Sequence, residues 1–322
     1  MSRAVAVHPA APHLKQYLRA LAQMGPDDER ELVFKAASPA ASSANPDHEE
    51  LVAFAGFREF RTEIERRLIP LQMGAVRLPF HIKAPMVDGR PEGYWVPEGG
   101  AKPVGRFSAT SIALPPRKVE ALTVVTKRLL QTPEGGDAVL RMLRNAVVGG
   151  VNATFSSSSA SVAGTSPAGI GAGATPVPES GEVVPDLEAL VGAADDADVT
   201  LEEAEWIMSP ARAVSIAGTI GSDTLGLGGG TLFGRPVHVD PRAETVYLTD
   251  PSRIGLAVGG ITLEISTHAS LELRDDPTSD ATTPAAAETV SLFQTNSIGF
   301  LVGIAISWEA IGRAVFALDA ES

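Results

Sequence analysis

Apolar positions recur at two spacings along this chain, and the change from one to the other divides it. Leu14, Leu18 and Leu21 stand at helical spacing, and a second such pattern starts at Leu32, Val33 and Phe34 after Gly25-Pro26-Asp27, with Asp27 as candidate N-cap. Residues 11–37 therefore read as helical. Ala36 to Pro46 is Ala, Ser and Pro with nothing to bury, and reads as a linker. Phe54, Phe57, Phe60, Ile64 and Leu68 resume a helical stripe between Arg and Glu, suited to the chain's own core or to a partner. From Leu78 to Val125 the pattern turns β-like, broken at Asp88-Gly89-Arg90-Pro91 and at Glu98-Gly99-Gly100.

That β-like stretch predicts a long hairpin. Gly93-Tyr94-Trp95-Val96-Pro97 runs out, the two glycines turn it, and Arg106-Phe107-Ser108 through Leu114 returns. At about 3.3 Å per residue, arms of ~12–15 residues would project roughly 40–50 Å. A ribbon of that kind, enclosing no catalytic groups, is a device for reaching another subunit. Downstream, Pro133 to Val148 predicts a helix: Pro133 suits its first turn, Glu134 and Asp137 favour its N-terminus, and Val139, Leu140, Leu143 and Val147 form one apolar face. Gly149-Gly150 either stops it or lets Val151, Ala153 and Phe155 extend it.

Ser156 to Gly181 is low in complexity and reads as a surface loop. Beyond it, Leu187, Leu190 and Val191 start an amphipathic helix, Glu205 to Ser209 is a buried strand, Ala211 to Ile220 a short helix, Gly226 to Gly230 a mobile glycine loop, and Gly234 to Val239 another strand. Strands follow at Val246–Asp250, Gly255–Val258 and Leu263–Ser266. A long apolar run from Ile298 to Ile306, then Trp308 and Ala314–Leu318, complete an α+β chain.

Composition narrows the function. Charged residues are only 20% against 44% hydrophobic, with 31 Gly and 24 Pro, a balance that fits many turns and much surface hidden in contacts. The net charge of −13 argues against general nucleic-acid binding, which needs basic surface, although an acidic wall can enclose DNA without holding it. With no cysteine, disulfides, thiolate metal sites and cysteine nucleophiles are excluded. No apolar run approaches the ~20 residues of a bilayer span, and Met1 to Val5 lacks a secretory core, so the expectation is a soluble cytoplasmic product.

No constellation calls for catalysis, a cofactor or a metal. His8, His13, His48, His81, His238 and His268 are scattered, without metal-ligand spacing. Gly226 to Thr231 lacks the Gly-Lys-Ser/Thr of a phosphate loop, and Asp195-Asp196-Ala197-Asp198 lacks the glycine and closing glutamate of a calcium loop and reads as a helix end. No serine sits in GxSxG. Trp308 is expected in the core and Trp95 on a neighbour. Lys102 and Arg106 near the loop tip either meet acidic residues of another subunit or stay solvated.

Four stretches, taken in order, resemble the major capsid proteins of tailed bacteriophages, the Hong Kong 97 fold family. They are Tyr94 to Pro103 with Leu114-Pro115-Pro116-Arg117-Lys118, the helix at 128–149, Trp206 to Pro210 with Leu232 to Val237, and Phe293-Gln294-Thr295-Asn296 through Trp308. Together they cover about residues 50–320. The resemblance implies an N-terminal helical and linker segment at 1–49, similar to a short scaffolding segment, and an N-terminal arm at 50–78. It further implies an extended loop at 79–122, a peripheral domain with its spine helix at 123–184, an axial domain at 185–290, and C-terminal strands at 291–322 completing both.

In that frame Tyr94, Trp95, Val96, Pro97, Glu98, Lys102, Pro103, Arg106 and Phe107 are the expected inter-subunit contacts. The family's crosslinking member joins a lysine to an asparagine; Lys102 or Lys118 and Asn296 are only loosely comparable, and nothing in the sequence calls for such a bond. The implied function is non-enzymatic self-assembly, through hexamers and pentamers, into an icosahedral head that encloses phage or prophage DNA in the virion. Portal and a maturation protease or scaffold are the implied partners. The alternative is an encapsulin-type bacterial compartment shell of the same fold.

Overall fold

The helical stripe of Phe57, Phe60, Ile64 and Leu68 folds inward. A computed structural model describes residues 55–88, 93–102, 108–132, 134–197, 199–273 and 289–319. The readings for residues 1–49 lie outside them. The elements run α1 (Ala55–Glu65), α2 (Ile69–Gln72), β1 (Val76–Arg77), β2 (Ala84–Asp88), β3 (Ser108–Ile112), β4 (Arg117–Thr126), α3 (Lys127–Gln131) and α4 (Gly135–Phe155). Next come β5 (Thr175–Pro178), α5 (Val183–Asp196), β6 (Glu205–Met208), α6 (Pro210–Ile220), β7 (Leu225–Gly226), β8 (Gly229–Leu232), β9 (Arg235–Val239) and β10 (Tyr247–Thr249). The chain ends with β11 (Ile254–Ser266), β12 (Ser270–Leu271), β13 (Val290–Ser291), β14 (Ser297–Ala310) and β15 (Val315–Asp319).

Two compact units result. One is built from the described residues up to Arg66 with Glu120–Val148 and Ile261–Ile304, the other from Arg67–Val119, Gly149–Gly260 and the stretch from Ala305 onward. The sheets are a four-stranded one in the order β1-β11-β14-β4, a seven-stranded one in the order β5-β15-β10-β6-β9-β8-β7, and two two-stranded ribbons, β2-β3 and β12-β13.

In the first unit Phe57, Phe60 and Ile64 of α1 are buried, so the stripe serves the chain's own core. What α1 leaves to solvent is its charged face, with Arg58, Glu59, Arg61 and Glu63 exposed. Glu63 pairs with Arg144 of α4. The predicted helix over 128–149 is two helices. Thr132, preceding Pro133 in sequence, is extended at φ −71 and ψ 149 and its hydroxyl donates to the Leu129 carbonyl, which ends α3. The residue before a proline is driven out of the helical region by the ring, and the break follows. At its other end the helix continues through Gly149-Gly150 to Phe155, resolving the question the glycines left open.

The second unit is organised on the seven-stranded sheet. Trp206, Met208, Val237, Leu248, Phe316 and Leu318 from its strands pack with Leu187 and Leu190 of α5 and Ala213 and Ile216 of α6 in one core. Local rules set α6: Ser209 caps it by accepting from the Arg212 N–H, Pro210 occupies its first turn, and Gly221 ends it in the left-handed conformation at φ 65. Phe155 and Trp308 meet edge to face at 5.2 Å, and the Trp308 indole donates to the Ala168 carbonyl at 2.7 Å, which places Trp308 in the core as expected. The buried Asn152 side chain clamps the turn after α1, accepting from the Ile69 N–H and donating to the Arg67 carbonyl.

Three further expectations need correction. The stretch 156–181 is not simply a surface loop: Ser156, Ser157 and Ile170 are buried and β5 pairs in parallel with β15. Its small residues permit this, since a Cβ on Gly169 would lie 2.1 Å from the Ser157 carbonyl oxygen. The glycine run at 226–230 is a tight hairpin, β7 pairing antiparallel with β8. The two strands read at 255–258 and 263–266 are one, β11, thirteen residues long. Its glycines are part of the strand because the chain passes close: a Cβ on Gly259 would sit 3.0 Å from that of Ala305.

Tyr247 of β10 is buried, and burial, with Glu244 nearby, pushes its phenol up to about 12. The folded protein therefore holds this proton more tightly than the unfolded chain, whose phenol titrates at its ordinary value of 10.0. The resulting stability is complete below that value and is lost as pH rises towards 12. Denaturant titrations across this range should show an alkaline fall in unfolding free energy that Tyr247→Phe removes. An identical fall in that variant would assign it to other groups.

Candidate functional site

The stretch read as a hairpin for subunit contact carries one antiparallel pair, β2 with β3, in a register from Ala84 opposite Ile112 to Asp88 opposite Ser108, so its outgoing strand is 84–88 and not the expected 93–97. Alternation along β2 sorts its side chains: Met86 is buried and Val87 is exposed. Met86 and Ile112 pack with Ile311 and Leu78 in a small core of their own. The base also lies against the β11 backbone, since a Cβ on Gly255 would come 2.4 Å from Ile112 Cδ1 and 3.0 Å from Met86 Sδ. The hairpin is thus pinned at its root by four apolar side chains and a glycine that lets them in.

Beyond the pairs the described part of the loop is 93–102. The Gly100 N–H donates to the Pro97 carbonyl at 2.9 Å and Gly99 adopts φ 76, which makes the turn read from the two glycines. Tyr94, Pro97, Glu98 and Lys102 are exposed and Val96 is half-buried. Trp95 is 103% exposed, as open as in an isolated peptide. Pro103, Arg106 and Phe107 lie outside the described residues. The ladder itself is five pairs, about 16 Å at the usual rise, and residues 93–102 form no strand, so the roughly 40–50 Å ribbon expected from sequence is not found among the described residues.

Ile82 and Val87, both exposed at the root, were not singled out from sequence. Strict alternation from Met86 would have marked Val87, because its neighbour faces the core. Among the described residues no group of three His, Asp or Glu side chains is arranged to hold a metal ion. No described helix is long and apolar enough to cross a membrane.

The chain has counterparts among known proteins. The phage capsid family matches this chain over residues 58–302. The chain belongs to that family. A curated relative, the capsid polyprotein of Pseudomonas phage PAJU2, is 32% identical over 252 residues, covering 72% of this chain; the chain spans only 38% of that relative's length. Solved structures from Mycobacterium phage Cain and Gordonia phage Cozz superpose with TM-scores of 0.54 and 0.53, each at 16% identity. The first covers 79% of this chain and 90% of its own, the second 88% and 98%. At that identity the likeness is one of fold, and the fold is the Hong Kong 97 type.

Proposed function

We propose that this chain is a major capsid protein, a non-enzymatic unit that self-assembles through hexamers and pentamers into the icosahedral head around phage or prophage DNA. The observation that carries the reading is the loop: a family member holds a wholly exposed tryptophan on a ribbon whose root is fixed in its own core. Burying such an aromatic in a neighbour's pocket is a strong source of contact energy, and many moderate contacts summed over a shell give a stable particle. Tyr94, Trp95, Val96, Pro97, Glu98 and Lys102 form this contact, with Pro103, Arg106 and Phe107 continuing it. The segment 79–122 is the extended loop, 123–184 with the final strands the peripheral domain, and 185–290 the axial domain. The arm at 50–78, its stripe turned inward, meets neighbours by its charged face.

The acidic balance of −13 suits a wall that surrounds DNA without gripping it. Portal, and a maturation protease or scaffold, are the partners such a head requires. The encapsulin alternative has less support, because the matched family and the curated relative are both of phage capsids. Electron microscopy of the concentrated recombinant protein, and of particles from an infected or induced host, tests the reading. Closed shells holding DNA are expected. Shells holding an enzyme cargo would move the chain to the compartment class, and a small stable oligomer at every concentration would end the shell reading.

A further inference from the structure

The strands β7, β8 and β9 form the far edge of the seven-stranded sheet, and both turns that join them expose a large apolar side chain. Leu227, between β7 and β8, is 72% exposed; Phe233, between β8 and β9, is 62% exposed. Leu232 pairs with Arg235, so the second turn has two residues, Phe233 and Gly234, at φ 51 and φ 76. Two positive φ values in a two-residue hairpin are the type I′ turn, whose natural sequence is Asn-Gly. A phenylalanine there is in a conformation that its Cβ disfavours, and a ring so exposed recovers little of that cost within its own chain.

The ribbon presenting this ring is otherwise tightly made. A Cβ on Gly230 would lie 1.9 Å from the Thr224 carbonyl oxygen and one on Gly229 2.4 Å from that of Val237. The Thr231 N–H donates to the Thr224 carbonyl, and the Thr224 hydroxyl donates to the Thr231 carbonyl. Charge points to the partner. From Thr224 to Gly234 there is no charged side chain, within a chain of net charge −13. Two copies of so acidic a protein repel over most of their surface, and an uncharged apolar edge is where they approach at least cost.

We infer that the β7–β9 ribbon is a self-association edge and that Phe233 is its anchor, seated on a second copy of this chain. The inference rests on the capsid reading and adds to it a contact separate from the extended loop. The strain gives it an unusual test. Phe233→Asn creates the turn's preferred sequence, so the unassembled subunit should melt several degrees higher while the concentration needed for assembly rises roughly tenfold or more. Phe233→Tyr keeps the ring and should assemble like the wild type. Thermal melting of the subunit and sedimentation of the full chain over a concentration series read both effects.

Assembly of Phe233→Asn at the wild-type threshold would overturn the inference. A lower melting point in that variant would do so too, by placing the ring in the chain's own core. A wild type that never assembles would instead remove the capsid reading, and with it the partner. A wild-type threshold in Phe233→Asn alongside lost binding of some other protein would assign the edge to that protein.

Discussion

Trp95→Ala should leave the subunit as stable as the wild type and prevent shells from forming. The ring is entirely exposed, and surface substitutions of that kind change stability by no more than about 0.5 kcal/mol. Its loss at an interface is another matter: truncating a central buried tryptophan costs ~2 kcal/mol or more, about thirtyfold in affinity for each contact. Closing a shell multiplies that loss over every copy, so the assembly threshold rises far more steeply than for one dimer. Light scattering during concentration, with melting curves as the control, separates the two effects. Deleting residues 98–106 should act the same way. Normal shells from Trp95→Ala would show that the loop's tryptophan is not what reaches the neighbour, and a large fall in melting point would place it against its own subunit.

Trp206→Ala should have the largest effect on the subunit itself. Trp206 lies in β6 between β10 and β9, opposite Leu248 on one side and Val237 on the other, and it is almost wholly buried in the core of the seven-stranded sheet. Emptying such a site costs ~3–5 kcal/mol, the transfer energy of the ring plus that of the cavity left behind. For a protein with a stability of about 5–15 kcal/mol that is a third or more of the total. Trp206→Phe should cost much less. The indole N–H is buried with no hydrogen-bond partner among the described residues, so losing it leaves no acceptor orphaned. Urea titrations of the two variants decide this: equal losses would mean that the indole N–H does bond in the folded protein.

Periodicity made some elements legible and not others. The strand at Glu205–Met208, α6 with its serine cap and closing glycine, and the strand through Ile298–Ile306 could be read directly, because burial on known faces and capping chemistry are local properties. The last of these is apolar almost throughout because consecutive side chains of β14, which point to opposite faces of its sheet, are buried on both. Misreadings gathered at glycine. Gly226 to Gly230 and the glycines of 164–173 read as loops, and Gly259-Gly260 fell between two separate strands, yet several of them mark backbone or side chains passing too close for a Cβ. A sequence records that the Cβ is missing but not which distant atom excludes it.

The same distinction runs through the candidate site. The two-glycine turn and the aromatic segment before it were visible in the order of residues, as was the capsid resemblance. That Trp95 stands bare while Met86 and Ile112 hold the loop's root, and that Phe233 occupies a turn suited to asparagine, were not.

Taken by itself, the order of residues determined that this is an acidic α+β chain without cysteine, with a turned aromatic ribbon and a sheet-forming tail. Only the tertiary structure decided which apolar side chains remain uncovered, because exposure depends on what residues far apart in sequence bring to the same place.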